Sequence, residues 1–121
     1  MKLNNDLKIG IIGLGYVGFP LAIAFSKHFD VVGFDTDQLR IAELRDGRDT
    51  TMEVEISAIS DAKRIMYTYV RNDLVDCNVY IVTVPTPVDR FNRPDLMPLI
   101  KASETVGSLL KPSDLVIYES T

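Results

Sequence analysis

The stretch "KIGIIGLGYVGFP", Lys8 to Pro20, runs from an apolar segment straight into three glycines and then a proline. Ile9–Ile12 reads as a short buried strand, because it is apolar, β-branched and too short for a helix with its own core face. Gly13-Leu14-Gly15-Tyr16-Val17-Gly18 fits G-x-G-x-x-G. In that pattern the first glycine permits a tight turn off the strand, the second lets a pyrophosphate approach the backbone, and the third lets the following helix pack close to the sheet. Pro20 then falls in the first helical turn, where backbone N–H groups have no intrahelical acceptor and its missing donor removes no bond. Phosphates would meet the unpaired N–H groups at that helix N-terminus.

Three features around the glycines strengthen the reading: a strand before, a helix after, and a second strand, "VVGFD", ending in Asp35. Asp35 stands 22 positions after Gly13, near the spacing of about 20 at which such folds set an acid on the adenosine ribose. Its carboxylate can accept from both ribose hydroxyls, whereas a 2′-phosphate there would meet like charge. NAD is therefore expected over NADP. The competing reading makes the triplet a plain strand–helix turn and Asp35 a helix cap. Arg40 has two readings from spacing alone, a phosphate contact or a solvated charge on a helix face.

Outward from this motif, strand-like runs recur at Ile9–Ile12, Val31–Phe34, Ile65–Tyr69, Val79–Val84 and Leu115–Tyr118. Helical segments are expected over about Val17–Lys27, from near Asp37 to before Gly47 with Ile41 and Leu44 inward, and after Asp95 with Leu99, Ser103, Val106 and Leu110 inward. A weaker helix is expected over Glu53–Asp61 and a single turn over Arg71–Leu74. Strands that alternate with helices and are apolar on both faces predict an α/β fold, a Rossmann-like doubly wound parallel sheet flanked by helices, in one domain over residues 1–121. The longest irregular segment, Pro85 to Pro94, follows a strand, at the edge where open α/β sheets hold ligands.

Composition narrows the function. A formal charge of −4 argues against nucleic-acid backbones and anionic membrane surfaces, which call for clustered Lys and Arg. "MKLNNDLK" lacks the apolar segment of a signal peptide and no run approaches a membrane span, so the cytoplasm is expected. A lone Cys77 gives neither a disulfide framework nor a zinc cluster, and is expected to be a buried thiol. His28, the only histidine, reads as an exposed partner of a helix C-terminus rather than a base. Tyr16 can pack against the late helix, and Glu119 is indistinguishable from a structural carboxylate.

Together "KIGIIGLGYVGFPLA", "VVGFDTDQLRIAEL", "VTVPTP", "PDLMPLIKASETVG" and "YEST" resemble the N-terminal domain of the nucleotide-sugar 6-dehydrogenases, in particular the UDP-N-acetylhexosamine branch. The resemblance implies oxidation of the sugar's C6 alcohol to a carboxylate with two NAD, through a covalent thiohemiacetal and thioester on cysteine, for surface polysaccharides. It implies cofactor contacts from Gly13 to Gly18, with Asp35 and Arg40 on the adenosine ribose. It also implies a loop beside the cofactor at Val84, Pro85, Thr86, Pro87 and Val88, with Thr86 as its hydroxyl contact. Thr121, with Ser120 adjoining, matches a threonine that helps organise the water and oxyanion region near the nicotinamide.

The family's nucleophilic cysteine, its catalytic lysine and asparagine, its UDP-sugar domain and the connecting helix of its homo-oligomers would all lie past Thr121. Cys77 does not match the nucleophile. The expectation is therefore a cofactor domain truncated after its fifth strand. Two alternatives stand beside it: a free-standing dinucleotide-binding or sensing module, and a β-hydroxyacid or 6-phosphogluconate-type dehydrogenase domain, which "VTVPTP" and "PDLMPLIKASETVG" fit poorly.

Overall fold

The computed structural model describes residues 7–52 and 54–119. In chain order these form β1 (Lys8–Ile12), α1 (Gly18–Ser26), β2 (Asp30–Phe34), α2 (Gln38–Arg45), α3 (Ile56–Asp61), β3 (Ile65–Thr68), a 3-10 turn at Arg71–Leu74, β4 (Val79–Val82), α4 (Met97–Gly107) and β5 (Leu115–Tyr118). The strands pair in parallel in the order β3-β2-β1-β4-β5. The chain therefore leaves β1 in one direction and returns to its other side, which makes the β1/β4 boundary the switch point where such sheets open a crevice.

Register decides what meets at that crevice. Ile12 is level with Phe34 on one side and with Val82 on the other. Gly13, Asp35 and Thr83, each the residue after its strand, thus emerge together at one edge. The Gly13 N–H donates to the Phe34 carbonyl at 2.8 Å, and the Thr83 N–H donates to the Ile12 carbonyl at 2.8 Å.

Side chains alternate across the sheet and give it two cores. Ile9, Ile11, Val31 and Ile81 pack with Phe19, Ile23, Ile41, Leu44 and Ile59 from α1, α2 and α3. Ile12, Val32, Phe34, Tyr80 and Val82 pack with Leu74, Cys77 and α4 residues Ala102 and Val106 on the other face. Burial of each such aliphatic or aromatic side chain stabilises the fold by about 1.5–3 kcal/mol before entropy is counted.

The α/β reading and all five expected strands are present, with three corrections. α4 ends at Gly107, so the helical period does not reach Leu110, which is exposed, and Leu109 packs inward instead. The weak helix is confined to Ile56–Asp61, and Glu53 lies outside the described residues. The sheet is covered on both faces over β1, β2 and β4, whereas Leu115, Ile117 and Tyr118 of the edge strand β5 are exposed. Cys77 is fully buried and burial pushes its thiol up to about 11, as an inert core thiol should be. His28 is exposed just past α1.

Candidate functional site

At the switch point the chain encloses a cavity of about 460 Å³. Its floor is the glycine turn, through Gly13, Leu14 and Gly15. One wall is the end of β2 and the start of α2, through Asp35, Thr36, Asp37 and Arg40. The other is Val84, Pro85 and the α4 residues Pro98, Lys101, Ala102 and Thr105. The two walls come from opposite faces of the sheet, because α2 packs on one core and α4 on the other.

The three glycines differ in what surrounds them. Gly13 has φ +104°, a left-handed conformation that favours glycine, and Thr83 and Val84 backbone atoms would lie 3.0 Å from any Cβ. At Gly18 a Cβ would strike the Gly13 carbonyl oxygen at 1.8 Å and the Thr83 hydroxyl at 2.4 Å. At Gly15 a Cβ would meet nothing within 4 Å. Gly13 and Gly18 are thus demanded by the protein's own packing. Gly15 is demanded by nothing in the protein, and it lines the cavity where a ligand's phosphates would approach.

The start of α1 fits the same ligand. Its N-cap position is Val17 and no side chain caps it. The Phe19 N–H donates to the Gly15 carbonyl at 3.0 Å and Pro20 has no N–H, so an anion here would be met by the end of the helix dipole and the N–H groups of the turn before it. α2 contrasts with it. The Asp37 carboxylate accepts from the Leu39 and Arg40 N–H groups and closes that helix end.

Asp35 is not the cap of α2. Its Oδ2 accepts the Leu14 N–H at 2.8 Å and its Oδ1 accepts the Asp37 N–H at 2.9 Å. A carboxylate has about four acceptor positions, so each oxygen keeps capacity for a ribose hydroxyl.

Arg40 is buried, which overturns its reading as a solvated charge. Its Nε donates to the Leu14 carbonyl at 2.7 Å, and its Nη1 donates to Glu43 and, at 2.9 Å, to Asp49. Its guanidinium carbon stands 5.2 Å from the Phe19 ring centroid. Nη2 is buried with no partner among the described residues, a cost on the order of 1–3 kcal/mol unless an acceptor is supplied. Burial alone would raise the Glu43 and Asp49 carboxyls, but hydrogen bonds outweigh it and both lie below the ordinary range. Those bonds come from Arg40 and Thr50 to Glu43, and from Thr51, Arg40 and the Val54 N–H to Asp49.

These groups fit an adenine dinucleotide: an uncapped helix start and an unobstructed glycine for the pyrophosphate, spare carboxylate acceptors beside Arg40 for the ribose. Among the described residues no group of His, Cys, Asp or Glu could hold a metal ion, and no helix is long and apolar enough to cross a membrane.

Residues 7–121 match the UDP-glucose/GDP-mannose dehydrogenase family, NAD binding domain. The chain belongs to that family. It is 56% identical over 117 residues to a UDP-N-acetyl-D-glucosamine 6-dehydrogenase of Pseudomonas aeruginosa and 50% identical over 117 residues to one of Salmonella typhi. Each alignment covers 97% of this chain and 28% of the relative. The fold matches a UDP-D-ManNAc dehydrogenase structure from Pyrococcus horikoshii with TM-score 0.83 and 32% identity, over 95% of this chain and 28% of that one. The chain thus spans a little over a quarter of the length of these relatives.

As a domain of the UDP-glucose/GDP-mannose dehydrogenase family it takes NAD as cofactor. Of the residues expected to contact it, Gly13, Leu14, Gly15, Asp35, Arg40, Val84 and Pro85 line the cavity together. Gly18 is buried beneath the turn, Val17 stands at the N-cap position of α1 without capping it, and Tyr16 is 65% exposed. Thr86 and Pro87 follow Pro85 but do not line the cavity. Ser120 and Thr121 lie outside the described residues.

Sequence reasoning passed over Thr83, Thr51 and the α4 wall. Pro98, Lys101, Ala102 and Thr105 share three- and four-residue spacing, a helix-face signal that could have found them. Thr51 is delivered by the loop that Asp49 organises, for which no spacing rule exists.

Proposed function

We propose that this chain is the NAD-binding part of a UDP-N-acetylhexosamine 6-dehydrogenase. The observation that carries the reading is the cavity where Gly15, Asp35 and Arg40 converge at the β1/β4 switch point. The sugar class is supported by the printed names of the relatives at 56% and 50% identity.

NAD, when bound, supplies a hydride acceptor. The chain's own residues bind and orient it. The α1 N-terminus and the unobstructed Gly15 receive the pyrophosphate, Asp35 accepts from the adenosine ribose, and the segment Val84, Pro85, Thr86, Pro87 borders the nicotinamide half, with the two prolines holding Thr86 stiffly. Ser120 and Thr121 organise water and the oxyanion region beside the nicotinamide. The UDP-sugar is held, and the cysteine nucleophile supplied, by parts of the protein beyond this chain. The protein works as a cytoplasmic homo-oligomer in the synthesis of surface polysaccharide.

Oxidising a primary alcohol to a carboxylate removes two hydrides and takes up one water, so the stoichiometry is a direct test. The whole protein carrying this chain, given NAD and UDP-N-acetylglucosamine or UDP-N-acetylgalactosamine, should form two reduced NAD per uronate. One reduced NAD per sugar, or none with either sugar, would contradict the reading.

A further inference from the structure

We propose that Glu43 and Asp49 set the preference for NAD over NADP, by holding the Arg40 guanidinium inside the protein where it cannot serve a 2′-phosphate. The inference rests on the reading that the cavity takes the adenosine ribose.

A 2′-phosphate brings between one and two negative charges and needs a cation with free donors beside it. Among the described residues that line the cavity, the cations are Arg40 and Lys101. Lys101 belongs to α4, across the sheet from the wall that carries Asp35, and only Arg40 shares that wall. Spacing alone therefore leaves Arg40 open as a phosphate contact, against the preference for NAD that Asp35 implies.

The structure removes Arg40 from that role. Three of its five N–H donors are engaged, Nε on the Leu14 carbonyl and Nη1 on both Glu43 and Asp49. The two on Nη2 have no partner among the described residues but are buried, and the paired carboxylates offset the charge behind them. The side chain is 9% exposed, and Phe19 lies under the guanidinium. The carboxylates that hold it are secured in turn, Glu43 by the Thr50 hydroxyl and Asp49 by the Thr51 hydroxyl and the Val54 N–H. Two carboxylates are thus paired to one guanidinium, and a third, Asp35, lines the same cavity. A neutral ribose hydroxyl is welcome there, and a phosphate is repelled. Asp35 thus opposes the phosphate from the front, while Glu43 and Asp49 cancel from behind the charge that would otherwise have attracted it.

The test is calorimetric titration of the protein with NAD and with NADP at one fixed salt concentration, for the wild type, Glu43→Gln, Asp49→Asn, the double variant, and the double variant with Arg40→Met. The wild type should bind NAD more tightly than NADP. Each neutralised carboxylate should improve NADP binding about tenfold, change NAD binding far less, and lose its effect once Arg40 is methionine. An NADP-to-NAD affinity ratio unchanged in Glu43→Gln and Asp49→Asn overturns the proposal while leaving the cavity assignment intact. A wild type that binds neither nucleotide overturns both. Should Asp49→Asn disturb its loop, as thermal melting would reveal, Glu43→Gln alone decides, because its isosteric amide still accepts from Thr50.

Discussion

The Thr83 hydroxyl donates to the Gly13 carbonyl at 2.7 Å, so the residue after β4 grips the first glycine of the turn after β1. The same carbonyl lies directly over Gly18, where a Cβ would come within 1.8 Å of it. The three residues form a lock that fixes the turn independently of any ligand.

Breaking that lock should cost stability in a graded way. Gly18→Ala forces a methyl into backbone and is expected to cost about 3 kcal/mol or more. Thr83→Val keeps the shape but strips the donor from a buried carbonyl, at about 1–3 kcal/mol. Urea unfolding of the two variants checks the order, and a Gly18→Ala protein as stable as the wild type would refute the packing.

Tyr67 offers the opposite case. Its ring packs edge-on to Phe19 at 6.0 Å between centroids, but its hydroxyl is buried without a partner among the described residues, and burial pushes its pKa up to about 12. Removing an unsatisfied polar atom while keeping the ring is neutral or favourable. Tyr67→Phe should therefore melt at the wild-type temperature or above it, and a loss exceeding about 1 kcal/mol would mean that the hydroxyl has a partner.

The Arg40 cluster predicts acid sensitivity. The Glu43 and Asp49 carboxyls are held below their ordinary range in the folded chain, so their contribution is complete above the unfolded values, about pH 4. It is lost as pH falls through the depressed folded values. Unfolding free energy measured from about pH 7 down to about pH 3 should drop less in Glu43→Gln than in the wild type. Parallel curves would count against the ion pair.

Cys77 should be silent. It is fully buried, with its thiol pushed up to about 11 chiefly by burial. Alkylation by iodoacetamide near pH 8 should then proceed at the rate of unfolding, far slower than in denatured protein. Rapid labelling of the native chain would show the thiol to be accessible.

Much of this was readable in the chain itself, because local rules suffice for it. The apolar β-branched runs gave all five strands, the glycine pattern located the turn, and the spacing from Gly13 to Asp35 matched two adjacent strand ends in parallel register. Arg40 was ambiguous for a physical reason. Spacing places a guanidinium on α2, whereas its fate is decided by Asp49, nine positions further on in a loop without periodicity. Leu110 misled because a helical period says nothing about where the helix stops, and Gly107 ended it earlier.

The measurement to make first compares NAD binding by the wild type and by Gly15→Ala. A Cβ at Gly15 meets no protein atom within 4 Å and the backbone there is outside the left-handed region, so the variant should fold with unchanged stability or gain up to about 1 kcal/mol. The same methyl stands where the pyrophosphate must approach the turn. The account predicts equal or higher melting temperature together with NAD affinity reduced at least about tenfold. A Gly15→Ala protein that binds NAD as tightly as the wild type would show that the dinucleotide does not lie on the glycine turn.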